Sequence, residues 1–243
     1  MSDATDSQGA SPSAGVAVLH RIAEQLVARH AEGAYREEAL RAKAEYFDHA
    51  GKVFDDDGDI FESRLAAFLE WYVLERPLEG VGAPPALVWL EREANAQGGV
   101  PSETARALAA LCSSHRSLFD VGTVTDDTVE LEDLLGGARF VVTERRSTVG
   151  FEEGQIVEAR LLWDGERVVF GKTFLFHPRE ARQEVLAHVD GALAAGVSPK
   201  EVVFQLARLH LRWHRSRHIS AVRIYGESRV GEPRSALAPE ATP

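Results

Sequence analysis

Three histidines, His210, His214 and His218, recur every four residues, which would align their imidazoles along one face of a helix. Two histidines so spaced can share a zinc ion. The surroundings oppose a metal here: Arg208, Arg212, Arg215 and Arg217 interleave with them, and no carboxylate or thiolate occurs from Val202 through Gly226. The expectation is a cationic helix end, its histidines charged only below about pH 6.5. Asp55, Asp57 and Asp59 imitate a calcium loop but break its pattern. Counting from Asp55, the sixth position is Ile60 instead of glycine and the twelfth is Ala66 instead of glutamate. A solvated turn capping the next helix is expected instead.

The strongest electrostatic feature is an arginine row. Arg208, Arg212 and Arg215 stand at i, i+4 and i+7 beside Trp213, in a chain of net charge −11. Guanidinium groups flanking a tryptophan suit a docking face for an acidic protein surface. The competing expectation is internal pairing with Glu62, Glu70 or Glu75 of the acidic N-terminal half. Phosphate-loop, dinucleotide, nucleophile-elbow and H-E-x-x-H motifs are absent from the sequence. Cys112 falls on the apolar side of an expected helix, a core position more than a nucleophile. Asp133, Glu144 and Arg146 imitate a nuclease core only crudely, with arginine where lysine is wanted. No catalytic, cofactor-binding or metal-binding residue is therefore assigned, and the partner-binding candidates are Arg208, Arg212, Trp213 and Arg215.

The elements that must position these groups can be read from hydrophobic period. Residues 1–15 and 230–243 lack a pattern that could bury a core and are expected as disordered tails. Residues 16–116 repeat apolar positions at helical spacing. The stripes are Leu19, Ile22 and Leu26; Leu40, Ala44 and Phe47; Phe61, Leu65, Phe68 and Tyr72; Leu87 and Leu90; and Leu108 and Leu111. Between 117 and 177 the period falls to two in five short runs. The dipeptide Asp164-Gly165 gives a strong hairpin signal. An antiparallel meander closing into a small barrel is expected there, with Phe119, Val121, Val129, Leu131, Phe140, Val142, Ile156, Leu161, Val169 and Phe174 inward. Residues 178–229 return to helices, with Ser198, Pro199 and Glu201 marking a start. A short last strand is expected over Ser220–Gly226, from the alternation of Val222 and Ile224. The fold class is thus α+β: a helical bundle, a five-stranded antiparallel module and a C-terminal helix pair.

The runs "FESRLAAFLEWYVLERPLEG", "SLFDVGTV" and "VELEDLLGGARFVVTERRSTVGFEEGQIVEARLL" resemble an uncharacterised bacterial family of myxobacterial type. It pairs a helical N-terminal region with a small β module, and some relatives end in a cysteine-rich zinc module called SEC-C. This chain has no C-terminal cysteines, so no zinc is carried over. In that lineage adaptors act on small Ras-like GTPases, so the resemblance implies such a GTPase or its regulator as partner.

A single cysteine excludes an intrachain disulfide framework and suits a reducing compartment. The polar, acidic N-terminus does not read as a signal peptide, and no apolar run reaches the roughly 20 residues of a membrane span. The expectation is a cytoplasmic, non-enzymatic interaction module without cofactor and without membrane insertion. The alternatives are a metal- or nucleotide-dependent hydrolase with a non-local site, or a nucleic-acid-associated protein, which the net charge disfavours.

Overall fold

The computed structural model describes residues 14–96, 100–143, 150–216 and 218–227. The expected tails thus lie almost wholly outside the described residues, as do Glu144 and Arg146. Five helices come first: α1 Ala14–His30, α2 Arg36–Ala50, α3 Asp59–Leu74, α4 Pro85–Ala96 and α5 Glu103–Cys112. Ser102 starts α5 by accepting a bond from the Ala105 amide at 3.0 Å, the usual service of a serine at an N-cap. Leu19, Ile22 and Leu26 of α1 are buried as their spacing requires. On α2 the buried face is Ala39, Ala42, Tyr46, Phe47 and Ala50, one step round from the stripe expected, so Leu40 and Ala44 look outward. Tyr46 is the reason: its ring meets Phe68, Trp71 and Phe204 at centroid distances of 5.4–5.8 Å. A tyrosine that seats three aromatic neighbours outweighs one leucine in deciding which face goes in.

The five strands are β1 His115–Val124, β2 Thr128–Asp133, β3 Arg139–Thr143, β4 Ile156–Trp163 and β5 Val168–Phe176. Their hydrogen-bonded order, β1-β2-β3-β5-β4, returns to β1. This corrects the all-antiparallel meander expected. β4 does not follow β3 as a hairpin but crosses to pair with β1, and β3 meets β5 in parallel through the single register pair Val142↔Val168. The module is a curled, mixed sheet with a thin parallel seam.

Its interior holds Phe119, Val121, Val129, Leu131, Val142 and Leu161 as expected, with Phe140 and Phe174 packed against them. Ile156 and Val169 are corrections. Ile156 and Leu118 face the C-terminal helices, while Val169 and Leu162 join the N-terminal helical core. Val157, Ala159 and Phe170 take the inner places instead. β4 is buried from Ile156 through Leu162 because helices cover its outer face. A strand buried on both faces carries no alternation from which to read its register.

α6 Arg182–Ala194, α7 Pro199–Arg215 and α8 Ala221–Gly226 complete the chain. The start of α7 is as the sequence marks it, with Ser198 Oγ accepting from the Glu201 amide at 3.3 Å. The expected last strand is α8, a helix. Ser220 caps it, and Ala221, Ile224 and Tyr225 are buried at helical spacing, which overrides the two-residue alternation of Val222 and Ile224. The chain is α+β, as expected.

A charged layer joins helices to sheet. The Arg116 guanidinium of β1 donates to Glu158 of β4 at 2.6 and 2.9 Å, and Arg160 of β4 donates to Glu75 just beyond α3 and to Ser114. Burial alone would make Arg116 easier to deprotonate, but the Glu158 carboxylate reverses this and raises its pKa. Removing either partner would leave a buried charge uncompensated.

Candidate functional site

The arginine row lies along α7 as expected, and each of its guanidinium groups has partners within the chain. Arg208 reaches the C-terminal end of α2, donating to the carbonyls of Asp48 and His49 that the helix leaves unpaired. Arg212 pairs with Glu227 at 2.7 Å. Arg215 holds Asp57 bidentately at 2.8 and 2.6 Å and donates to the Lys52 carbonyl. The Asp57 carboxyl, held chiefly by Arg215, falls to about 2. Asp57 also accepts from the Phe54 amide at 2.7 Å, so the acidic cluster is a turn stapled to α7. Trp213 is half-buried, its ring edge-on to His210 at 5.6 Å. The partners expected for internal pairing, Glu62, Glu70 and Glu75, are not the ones used.

The three histidines do not converge. α7 ends at Arg215, so His218 leaves the helical face, while His210 turns inward toward His177. Among the described residues no group of three histidine, cysteine or carboxylate side chains is placed to hold a metal ion. Burial pushes the Cys112 thiol up, the reverse of an activated nucleophile. Asp133 accepts from Ser117 Oγ at 2.5 Å, the Leu135 amide at 2.9 Å and His115 Nε2 at 2.8 Å. It organises the turn that follows β2. No helix among the described residues is long and apolar enough to cross a membrane.

The feature that spacing did not reveal is a pocket where α1, α3 and the outer face of the sheet meet. It begins with an irregularity in β5. Leu161 pairs with Phe170 and Ala159 with Phe174, so Gly171, Lys172 and Thr173 together oppose the single residue Arg160. Such a bulge gives up ladder bonds and re-aims side chains, and bulges concentrate beside functional sites. Glu70 of α3 takes up the freed donors, accepting from the Lys172 amide at 3.3 Å and Thr173 Oγ1 at 2.8 Å. Gly171 lies close against the neighbouring strand: a Cβ there would stand 3.2 Å from Arg160 Cβ and 3.3 Å from its carbonyl oxygen, so Arg160 would have to give way by a few tenths of an ångström.

The pocket beside this bulge has a volume of 330 Å³. Its floor is Leu19, Val73, Leu74, Leu111 and Leu162, all buried. Lys172 crosses its rim to Glu24 of α1 at 2.6 Å, and that pairing lowers the Glu24 pKa. Arg160, 3% exposed, lines the polar end. An apolar concavity of this size with a few converging polar groups is what small-molecule sites look like. A sequence signal existed: an isolated glycine inside the strand pattern "RVVFGKTFLF" marks a bulge.

The fold and pocket define an α+β protein in which a curled five-stranded sheet is enclosed by helices. Residues 19–199 match the model of a family of unknown function, DUF7986, and the chain belongs to that family. No curated protein and no solved structure matches the chain.

Proposed function

We propose that this chain is a non-enzymatic binding module whose principal element is the pocket between α1, α3 and the β5 bulge, and that it takes an apolar ligand. The observation that carries the reading is the coincidence of a leucine-floored 330 Å³ cavity with a strand bulge held open by Glu70. What supports a binding role over a chemical one is that the polar groups there are held in mutual pairs. Both Glu70 oxygens are engaged, and Lys172 is paired with Glu24. No base among them stands free beside a nucleophile. The neutral dye Nile red tests this. The folded chain is expected to bind it with a fluorescence rise, and Ala23→Phe or Ala66→Phe, which fill the cavity from α1 or α3, to abolish the rise at unchanged melting temperature. Undiminished binding by both variants overturns the reading.

A second reading keeps the arginine face as a docking site for a protein with an acidic surface, in an adaptor role. It is favoured by Phe54 and Leu40, 57% and 58% exposed, along a groove beside which the Arg215 guanidinium lies 5.2 Å from the Phe54 ring. That reading needs Arg215 free to leave Asp57.

A further inference from the structure

We propose that the ligand is an aliphatic monocarboxylate, with its chain on the leucine floor and its head group on Lys172, an inference that rests on the binding reading above. The argument is an inventory of unused hydrogen-bonding capacity. The Glu70 carboxylate is engaged, receiving the Lys172 amide on one oxygen and the Thr173 hydroxyl on the other. Arg160 Nε is buried in an ion pair 3.5 Å from Glu70 Oε2, whereas the half-exposed Lys172 ammonium directs one of its three donors to Glu24 and can turn the others to a ligand. At the rim of the pocket Lys172 is therefore the group that offers donors to a ligand acceptor.

The Lys172–Glu24 pair fixes which sign of charge enters. A cationic head at the rim would be repelled by the Lys172 ammonium, whose backbone is pinned in the bulge by Glu70. An anionic head has only to replace Glu24, whose side chain is 70% exposed on α1 and can swing into water. The ligand carboxylate then takes Glu24's place in a charge-assisted hydrogen bond beside a surface that excludes water. Glu24 and Lys172 act as a latch between α1 and β5 that a competing carboxylate opens.

Isothermal titration calorimetry of the full chain with decanoate, 1-decanol and decylamine, three amphiphiles with one chain and different heads, tests this. Decanoate is expected to bind about tenfold or more tightly than 1-decanol, as a charge-assisted bond requires, with decylamine weakest. Lys172→Met is expected to reduce decanoate to the level of 1-decanol and to leave 1-decanol unchanged, with circular dichroism confirming the fold. Lys172→Gln is expected to do the same. Equal binding of decanoate and 1-decanol, or tightest binding of decylamine, overturns the carboxylate assignment while the binding reading stands. Binding of none of the three, with Nile red also excluded, overturns both.

Discussion

The Arg215–Asp57 pair decides whether the arginine row on α7 serves the fold or an outside partner, and its strength follows from geometry. The Asp57 side chain is 7% exposed, accepts two bonds from one guanidinium and one from a backbone amide, and has its pKa lowered from 3.8 to about 2. By linkage, that displacement bounds the stabilisation at about 2.5 kcal/mol at neutral pH. The Arg215 side chain is 36% exposed, so solvent screening reduces the pair to about 1–1.5 kcal/mol. A double-mutant cycle of Asp57→Asn, Arg215→Gln and the double variant, followed by urea unfolding at pH 7 and low salt, should return a coupling of that size. Arg215→Gln alone should lower the melting temperature by about 2–6 °C. The sign with pH is fixed. A depressed carboxyl contributes fully above its unfolded value and loses that contribution as the pH falls from 3.8 toward about 2. Wild type and Asp57→Asn should therefore converge in stability at the acid end. A coupling below about 0.3 kcal/mol would refute the internal role, and Arg215 would then be available to an acidic partner as the docking reading requires.

Two further outcomes follow from the core. His177 is buried between Tyr225 and His210, and burial, then His210, Arg64 and His188, push its pKa well down. Unfolding exposes an imidazole that protonates near 6.5, so stability is complete above that value and declines below it at about 1.4 kcal/mol per pH unit. His177→Phe should flatten that slope in chemical denaturation between pH 6.5 and 5, and an unchanged slope would place the titration elsewhere. Within the sheet, Leu161→Ala should cost about 2–5 kcal/mol. Val141→Ala, at a position 58% exposed, should cost less than about 0.5 kcal/mol. Similar losses at the two positions would contradict the inner face described.

What could be read from the sequence was local, and what could not depended on contacts between distant elements. The start of α7 coincides with expectation because a capping serine followed by proline is a property of one segment. The register of β4 is not local. Leu162 and Ile156 are buried against helices from opposite ends of the chain, so an unbroken apolar run hides which side faces the sheet interior. The last segment is likewise settled by distant contacts: Tyr225 is buried with its hydroxyl on His177, a partner that the alternation of Val222 and Ile224 does not announce. The arginines show the limit of counting charge. Glu70 and Glu75 lie in the acidic half that was expected to receive the α7 row, yet their arginine partners are Arg160 and, for Glu75, also Arg116 of the sheet. The α7 row instead takes a turn aspartate, helix-end carbonyls and Glu227. Glu70, turned toward the sheet, supports Lys172 and Thr173 where β5 bulges opposite Arg160 at the edge of the pocket. In Glu70→Ala the bulge would lose both of these supports, so the polar end of the pocket depends on one carboxylate of α3 as much as on the leucines beneath it.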